Sequence, residues 1–213
     1  MRTFINIGVS LEVLTFLISL ITLTKYRHSN LRYLPIYFGV ITCLELYCGF
    51  FYRVNNVWLF NILSVFEFNF LAYIFWKYFN RFNRRLLLVF LVVFNSVTIG
   101  NYIFKVQDFL VEPISQTYVM SSFMLIIMII LLFNQILRSN VRFEEIHRNI
   151  LFWICMGFLI YLGIALPMQA ITNWDQSIGE FRINLIYFHA SAVYLKNILF
   201  IFGFIWGKKT FTY

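Results

Sequence analysis

Residues 115–137 read SQTYVMSSFMLIIMIILLFNQIL, with no charge anywhere in the run. Wound as an α-helix rising 1.5 Å per residue, such a stretch reaches about 34 Å, enough to cross the roughly 30 Å hydrocarbon layer of a bilayer. Six more apolar stretches flank it: Ile5–Thr24, Tyr33–Phe51, Val57–Trp76, Leu86–Phe104, Ile150–Thr172 and Ile183–Gly207. The whole chain is 61% hydrophobic and 12% charged, whereas an ordinary soluble domain carries about 25% charged residues. The expectation is an all-α, polytopic membrane protein: a single domain over residues 1–213, folded as a bundle of seven transmembrane helices.

Connections between the spans run from Tyr52–Asn56 to Arg138–Asn149, too short for a folded soluble domain. Any soluble output therefore has to come from a partner. Arg2 followed by an apolar run resembles a short secretory signal, but Glu12 interrupts the run and no small-residue cleavage site follows. The segment reads as a retained first helix. Internal repeats, flexible linkers and low-complexity tails are lacking, and Gly157, Gly163 and Pro167 mark the sixth span as the one to bend or pack closely.

Lys25–Arg32, Lys77–Arg85, Arg138–Asn149 and the tail after Gly207 hold three, four, three and two Lys or Arg. The alternate side holds only Arg2, Arg53, Lys105 and Arg182, together with the acids Asp108, Glu112, Asp175 and Glu180; Glu144 and Glu145 fall on the basic side. Positive-inside bias places the N-terminus outside and the C-terminus in the cytoplasm. Trp58, Trp76, Trp153, Trp174 and Trp206 fall near span ends, where amphipathic rings favour the headgroup region.

Cys43, Cys48 and Cys155 lie within spans and lack zinc or disulfide spacing, so they read as packed thiols. His28, His147 and His189 are far apart and form no HxxxH pair. A catalytic zinc usually needs three protein ligands, so no metal site is expected. No motif calls for a cofactor.

Ionisable side chains inside apolar spans are functional-site candidates by default, and here they are Glu12, Glu45, Glu67, His189 and Lys196. Glu12, Thr15, Ser19 and Thr22 form one polar stripe on the first helix. Thr42, Glu45 and Gly49 repeat it on the second, and Asn61, Ser64 and Glu67 on the third. His189 and Lys196 stand seven residues apart, about 10 Å along one helix face. By depth, Glu12, Glu45 and His189 form an outer group, whereas Glu67 and Lys196 meet near mid-membrane as a candidate ion pair. One reading makes these groups helix–helix glue; the other makes them a polar pocket for a small ligand, proton or ion.

A cytoplasmic basic face comprises Lys77, Arg81, Arg84, Arg85 and Arg142, with Tyr78, Phe79 and Phe82 interleaved. It would bind anionic lipid or nucleic-acid phosphate, or serve only to set topology.

Several resemblances attach to these residues. A mid-span lysine in the last of seven helices with a carboxylate in the third resembles microbial rhodopsins, which implies Lys196 as a retinal Schiff base and Glu67 as its counterion. The chain lacks an Arg-Tyr-x-x-Asp-Trp run in the third span and a Trp clamp around Tyr161 and Pro167. Arg142-x4-His147 is similar to the ribonuclease motif of HEPN domains, but lies in a short loop. The last helix, with His189, Asn197 and Leu199, and the third span around Asn61 and Glu67 resemble small seven-span proteins of Bacteroidota encoded beside sensor kinases. The small, basic, Phe- and Asn-rich profile also resembles accessory membrane proteins of type VI-B CRISPR systems. Both imply a non-enzymatic regulatory or accessory protein with a cytoplasmic protein partner, in antiviral defence for the second. A small transporter or channel using the Glu/Lys/His interior is the alternative. A membrane enzyme ranks third, because His189 with Ser191 is a poor nucleophile–base geometry. Oligomeric state is not legible.

Overall fold

The computed structural model describes residues 2–50, 56–110, 115–138, 146–174 and 179–207. Among them the chain is all-helical, without strands: α1 (Arg2–Ile21), α2 (Leu34–Phe50), α3 (Val57–Trp76), α4 (Arg81–Phe104), α5 (Ser115–Arg138), α6 (Ile150–Trp174) and α7 (Gly179–Trp206). Six of these are long and apolar enough to cross a membrane, and α1 adds a shorter apolar stretch at Ile7–Ile21. Arg53, Glu112, Arg142, Glu144, Glu145 and Asp175 lie outside the described residues, as do the side chains of Trp174, Glu180 and Arg182.

The last helix begins at Gly179 rather than Ile183 and the first at Arg2 rather than Ile5, and two further boundaries have a local cause. The first helix stops at Ile21 and the chain turns through short 3-10 segments at Leu23–Lys25 and Asn30–Tyr33. The fourth begins at Arg81 rather than Leu86, because the Asn80 side chain accepts from the Asn83 N–H at 2.8 Å and caps a turn lying beyond the apolar run. Hydropathy sees hydrocarbon; it is blind to a capped turn outside it.

α1 packs between α2 and α7, α7 against α6, α6 against α5, and α3 against α2, α4 and α5. The densest of these contacts, α6 on α7, depends on two glycines. A Cβ at Gly157 would sit 2.5 Å from the Phe200 ring, and one at Gly203 would sit 2.6 Å from Trp153 Cβ. Absent side chains let the two backbones approach, the usual device where lipid gives no hydrophobic drive. Gly163, by contrast, faces open space.

The bundle interior is aromatic. Tyr37 stacks on Phe70 at 5.5 Å and meets Phe38 and Phe158 at 5.2 and 6.0 Å; Phe200 continues the cluster, 5.1 Å from Phe158. The outside is apolar as well: Val92, Tyr102 and Phe104 are 65%, 66% and 79% exposed. In water such a surface would be an aggregation liability; in hydrocarbon it costs nothing. α4 is the extreme case, with 17% of its span buried against 44% for α5. Cys155 is buried as expected, but Cys43 lies on the exposed face of α2, which corrects its reading as a packed thiol.

The positively charged connections gather at one end of the bundle, called here the basic end. Lys25 Nζ donates to Phe204 O and Ile205 O at 3.2 and 2.8 Å, capping α7. Arg84 does the same for α3, donating to Trp76 O at 2.9 Å and Lys77 O at 3.3 Å. Gln135 near the end of α5 donates to Tyr78 O at 2.7 Å and accepts from the Asn80 N–H at 3.0 Å. Trp153 Nε1 donates to His147 O at 2.7 Å. Tyr26, buried under this layer, donates to Ser19 O. Burial pushes its phenol upward, and pushes that of Tyr78 up to about 12, so both stay protonated at neutral pH.

Candidate interior polar site

Six helices contribute polar groups to the centre of the bundle. On α1, Thr15 is fully buried; its hydroxyl bonds Leu11 O at 2.7 Å and lies 3.1 Å from Asn197 Oδ1 of α7. Asn197 Nδ2 donates to Val193 O at 2.9 Å, so this contact is a satisfied bolt between α1 and α7. It is the glue role foreseen for the α1 stripe. Ser19 and Thr22 return their hydroxyls to Phe16 O and Ile18 O of their own helix.

Glu67 and Lys196 do not pair. Glu67 Oε1 accepts from the Tyr37 hydroxyl of α2 at 2.5 Å, the length of a charge-assisted bond. Lys196 Nζ lies 4.4 Å from the centroid of the Tyr161 ring on α6, a cation–π contact worth about 2 kcal/mol when desolvated. Among the described residues neither Glu67 nor Lys196 has a salt-bridge partner within 4.0 Å. The expected ion pair is therefore replaced by two tyrosines, one taking each charge.

His189 also meets Tyr161, with ring centroids 5.5 Å apart, so the seven-residue spacing does put His189 and Lys196 on one face. Tyr161 Oη in turn lies 3.4 Å from Tyr118 Oη of α5. Tyr161 is thus the hub of this side of the site. Sequence reading named it only as a missing retinal clamp, although a tyrosine deep in a span, away from the interface it favours, was a usable signal.

Glu12 is the group left over. Its Oε2 is buried with no hydrogen-bond partner, and so is the hydroxyl of Thr42, which is 5% exposed. Both line a cavity of about 10 Å³ together with Tyr37, Lys196 and Asn197, at the lower limit for one water. Glu45 is half-buried on α2 and does not line this cavity. The grouping by depth is thereby redrawn: Glu12 and Thr42 belong with Lys196, Glu67 belongs with Tyr37, and His189 belongs with Tyr161. The residues lining the cavity can exchange or hold a proton or one small polar molecule. A retinal-sized chromophore does not fit beside Lys196, since ligand pockets of that class run to about 300–1,000 Å³.

At the basic end Lys77, Arg81 and Arg85 are exposed, whereas Arg84 is half-buried and committed to α3 carbonyls. Of the interleaved aromatics, Tyr78 and Phe79 are in the core at 4% and 3% exposure; only Phe82, at 73%, is open. The expected aromatic interleaving for nucleic-acid bases is therefore reduced to one ring. The described residues contain no cluster of His, Cys, Asp and Glu fit to hold a metal. Compared with known proteins, the chain matches no family model, no curated protein and no solved structure.

Proposed function

We propose that this chain is a non-enzymatic, seven-span regulatory or accessory protein of the bacterial inner membrane that acts on a cytoplasmic protein partner. In this reading the N-terminus is outside, the basic end is cytoplasmic, and the α1 helix is the seventh span. Positive-inside bias supports that orientation. The observation that carries the reading is the α3–α4 turn: Lys77, Arg81, Arg85 and Phe82 project from a connection locked underneath by Gln135 and Asn80. Such a rigid basic platform with one exposed ring suits an acidic protein surface. Its resemblance to sensor-kinase-adjacent and type VI-B CRISPR accessory membrane proteins supports the same role, sensing or defence.

The test is co-purification from native membranes. Wild type is expected to retain a soluble acidic partner that Lys77→Glu/Arg81→Glu/Arg85→Glu releases, without ion or proton flux in proteoliposomes. Flux abolished by Glu67→Gln, with no partner retained, would overturn it in favour of a second reading, a small transporter. That alternative draws on the unpartnered Glu12 and Thr42 oxygens beside Lys196, since intramembrane ionisable groups commonly mark ion and proton paths.

A further inference from the structure

A groove of about 680 Å³ opens sideways between α3 and α4, lined by Ile62, Val65, Phe66, Phe70, Ile99 and Tyr102. Its polar neighbours inside the span are already engaged. Asn69 and Asn95 exchange amide hydrogen bonds at 3.0 and 3.3 Å, and Thr98 returns its hydroxyl to Phe94 O at 2.8 Å. The walls thus offer an incoming molecule apolar contact and little else. They are also held in place: the Asn69–Asn95 bridge ties the helices near mid-span, and Asn61 Nδ2 donates to Phe109 O at 2.9 Å at the far end. Tyr102 braces Phe109 edge-on at 5.9 Å.

From Ile62 to Phe70 the groove runs about 12 Å along α3, from just past the level of Glu67 toward the end opposite the basic one, a length comparable to the roughly 15 Å hydrocarbon depth of one leaflet. A transmembrane helix of a second copy would need the full thickness; an acyl chain needs one leaflet. One turn beyond Tyr102, at the end of α4, stands the exposed cation Lys105.

We propose that this groove is a phospholipid site: one acyl chain lies between α3 and α4, in the leaflet opposite the basic end, and the phosphate sits at Lys105. The tie points fix the walls on either side of the groove, and the acyl chain supplies the packing that α4 otherwise lacks.

Nanodiscs of phosphatidylglycerol and phosphatidylethanolamine, followed by detergent extraction and native mass spectrometry of the full chain, give the test. Wild type is expected to keep one phosphatidylglycerol. Ile99→Trp and Val65→Phe, filling the groove from either wall, lower that retention about tenfold. Val97→Trp, nearly opposite Ile99 on the same turn of α4, leaves it unchanged. Lys105→Gln keeps a lipid but loses the preference for phosphatidylglycerol. Equal retention by wild type and both groove-filling variants would overturn the proposal, as would a wild-type dimer that Ile99→Trp abolishes.

Discussion

Lys25 and Arg84, at the basic end, direct their charges onto the last carbonyls of α7 and α3. Glu12 and Thr42, deeper in the bundle, hold buried oxygens with no partner. Both regions are rich in polar atoms, yet the first is almost fully satisfied while the second is not; Tyr78 Oη is the exception at the basic end. An unpaired buried polar group costs about twice what a satisfied one contributes. Retaining one in hydrocarbon is unfavourable for the fold, so the contrast separates groups that hold the bundle together from groups kept for another reason.

Substitutions sharpen this division. The largest effect is expected at Gly157→Val, where the added side chain meets Phe200 and the Lys196 carbonyl at the tightest helix contact; the loss should be about 3 kcal/mol, read by thermal unfolding in detergent followed through tryptophan fluorescence. Tyr37→Phe comes next. It strips Glu67 of its hydroxyl donor and should lower stability by about 2 kcal/mol, whereas Glu67→Gln in the same background should recover part of that loss. Arg84→Ala uncaps α3 and should cost about 0.5–1 kcal/mol, an effect checked by the midpoint of denaturant unfolding. A change of similar size is a gain. Lys105 ends α4 with φ at 49°, a left-handed conformation that glycine adopts freely, so Lys105→Gly should add about 0.5–1 kcal/mol in the same unfolding series.

The helices were legible in the sequence because each apolar run is interrupted only by a few polar groups and bounded by tryptophan or basic residues. Trp153 illustrates the second signal: its ring sits in the first turn of α6 with Nε1 on His147 O. What escaped were features set by single polar side chains rather than by mean hydropathy, such as the Asn80 cap that lengthens α4.

The site was legible by residue type and not by partnership. Helical spacing told that His189 and Lys196 share a face, and both reach Tyr161. It could not tell which neighbour lies across the gap. Glu67 lies mid-span at the expected depth, yet its partner is Tyr37, thirty residues away and near the start of α2. Depth along a helix ranks candidates for contact; the azimuth of each helix, set by the Gly157 and Gly203 crossing and the aromatic core, decides among them. The same limit applied at the basic end, where alternation of Arg with Tyr78 and Phe79 gave no sign that the rings turn inward.

The division between structural and retained groups rests most heavily on Glu12. Equilibrium unfolding of Glu12→Gln beside Thr42→Val, in the same detergent as Tyr37→Phe, addresses it directly. Stability equal to wild type, or higher by up to about 1 kcal/mol, is expected, because neither oxygen has a bond to lose. A loss of about 2 kcal/mol in Glu12→Gln, matching Tyr37→Phe, would mean that Glu12 is a structural bolt like Thr15 and would contradict its separation from the groups that hold the bundle together.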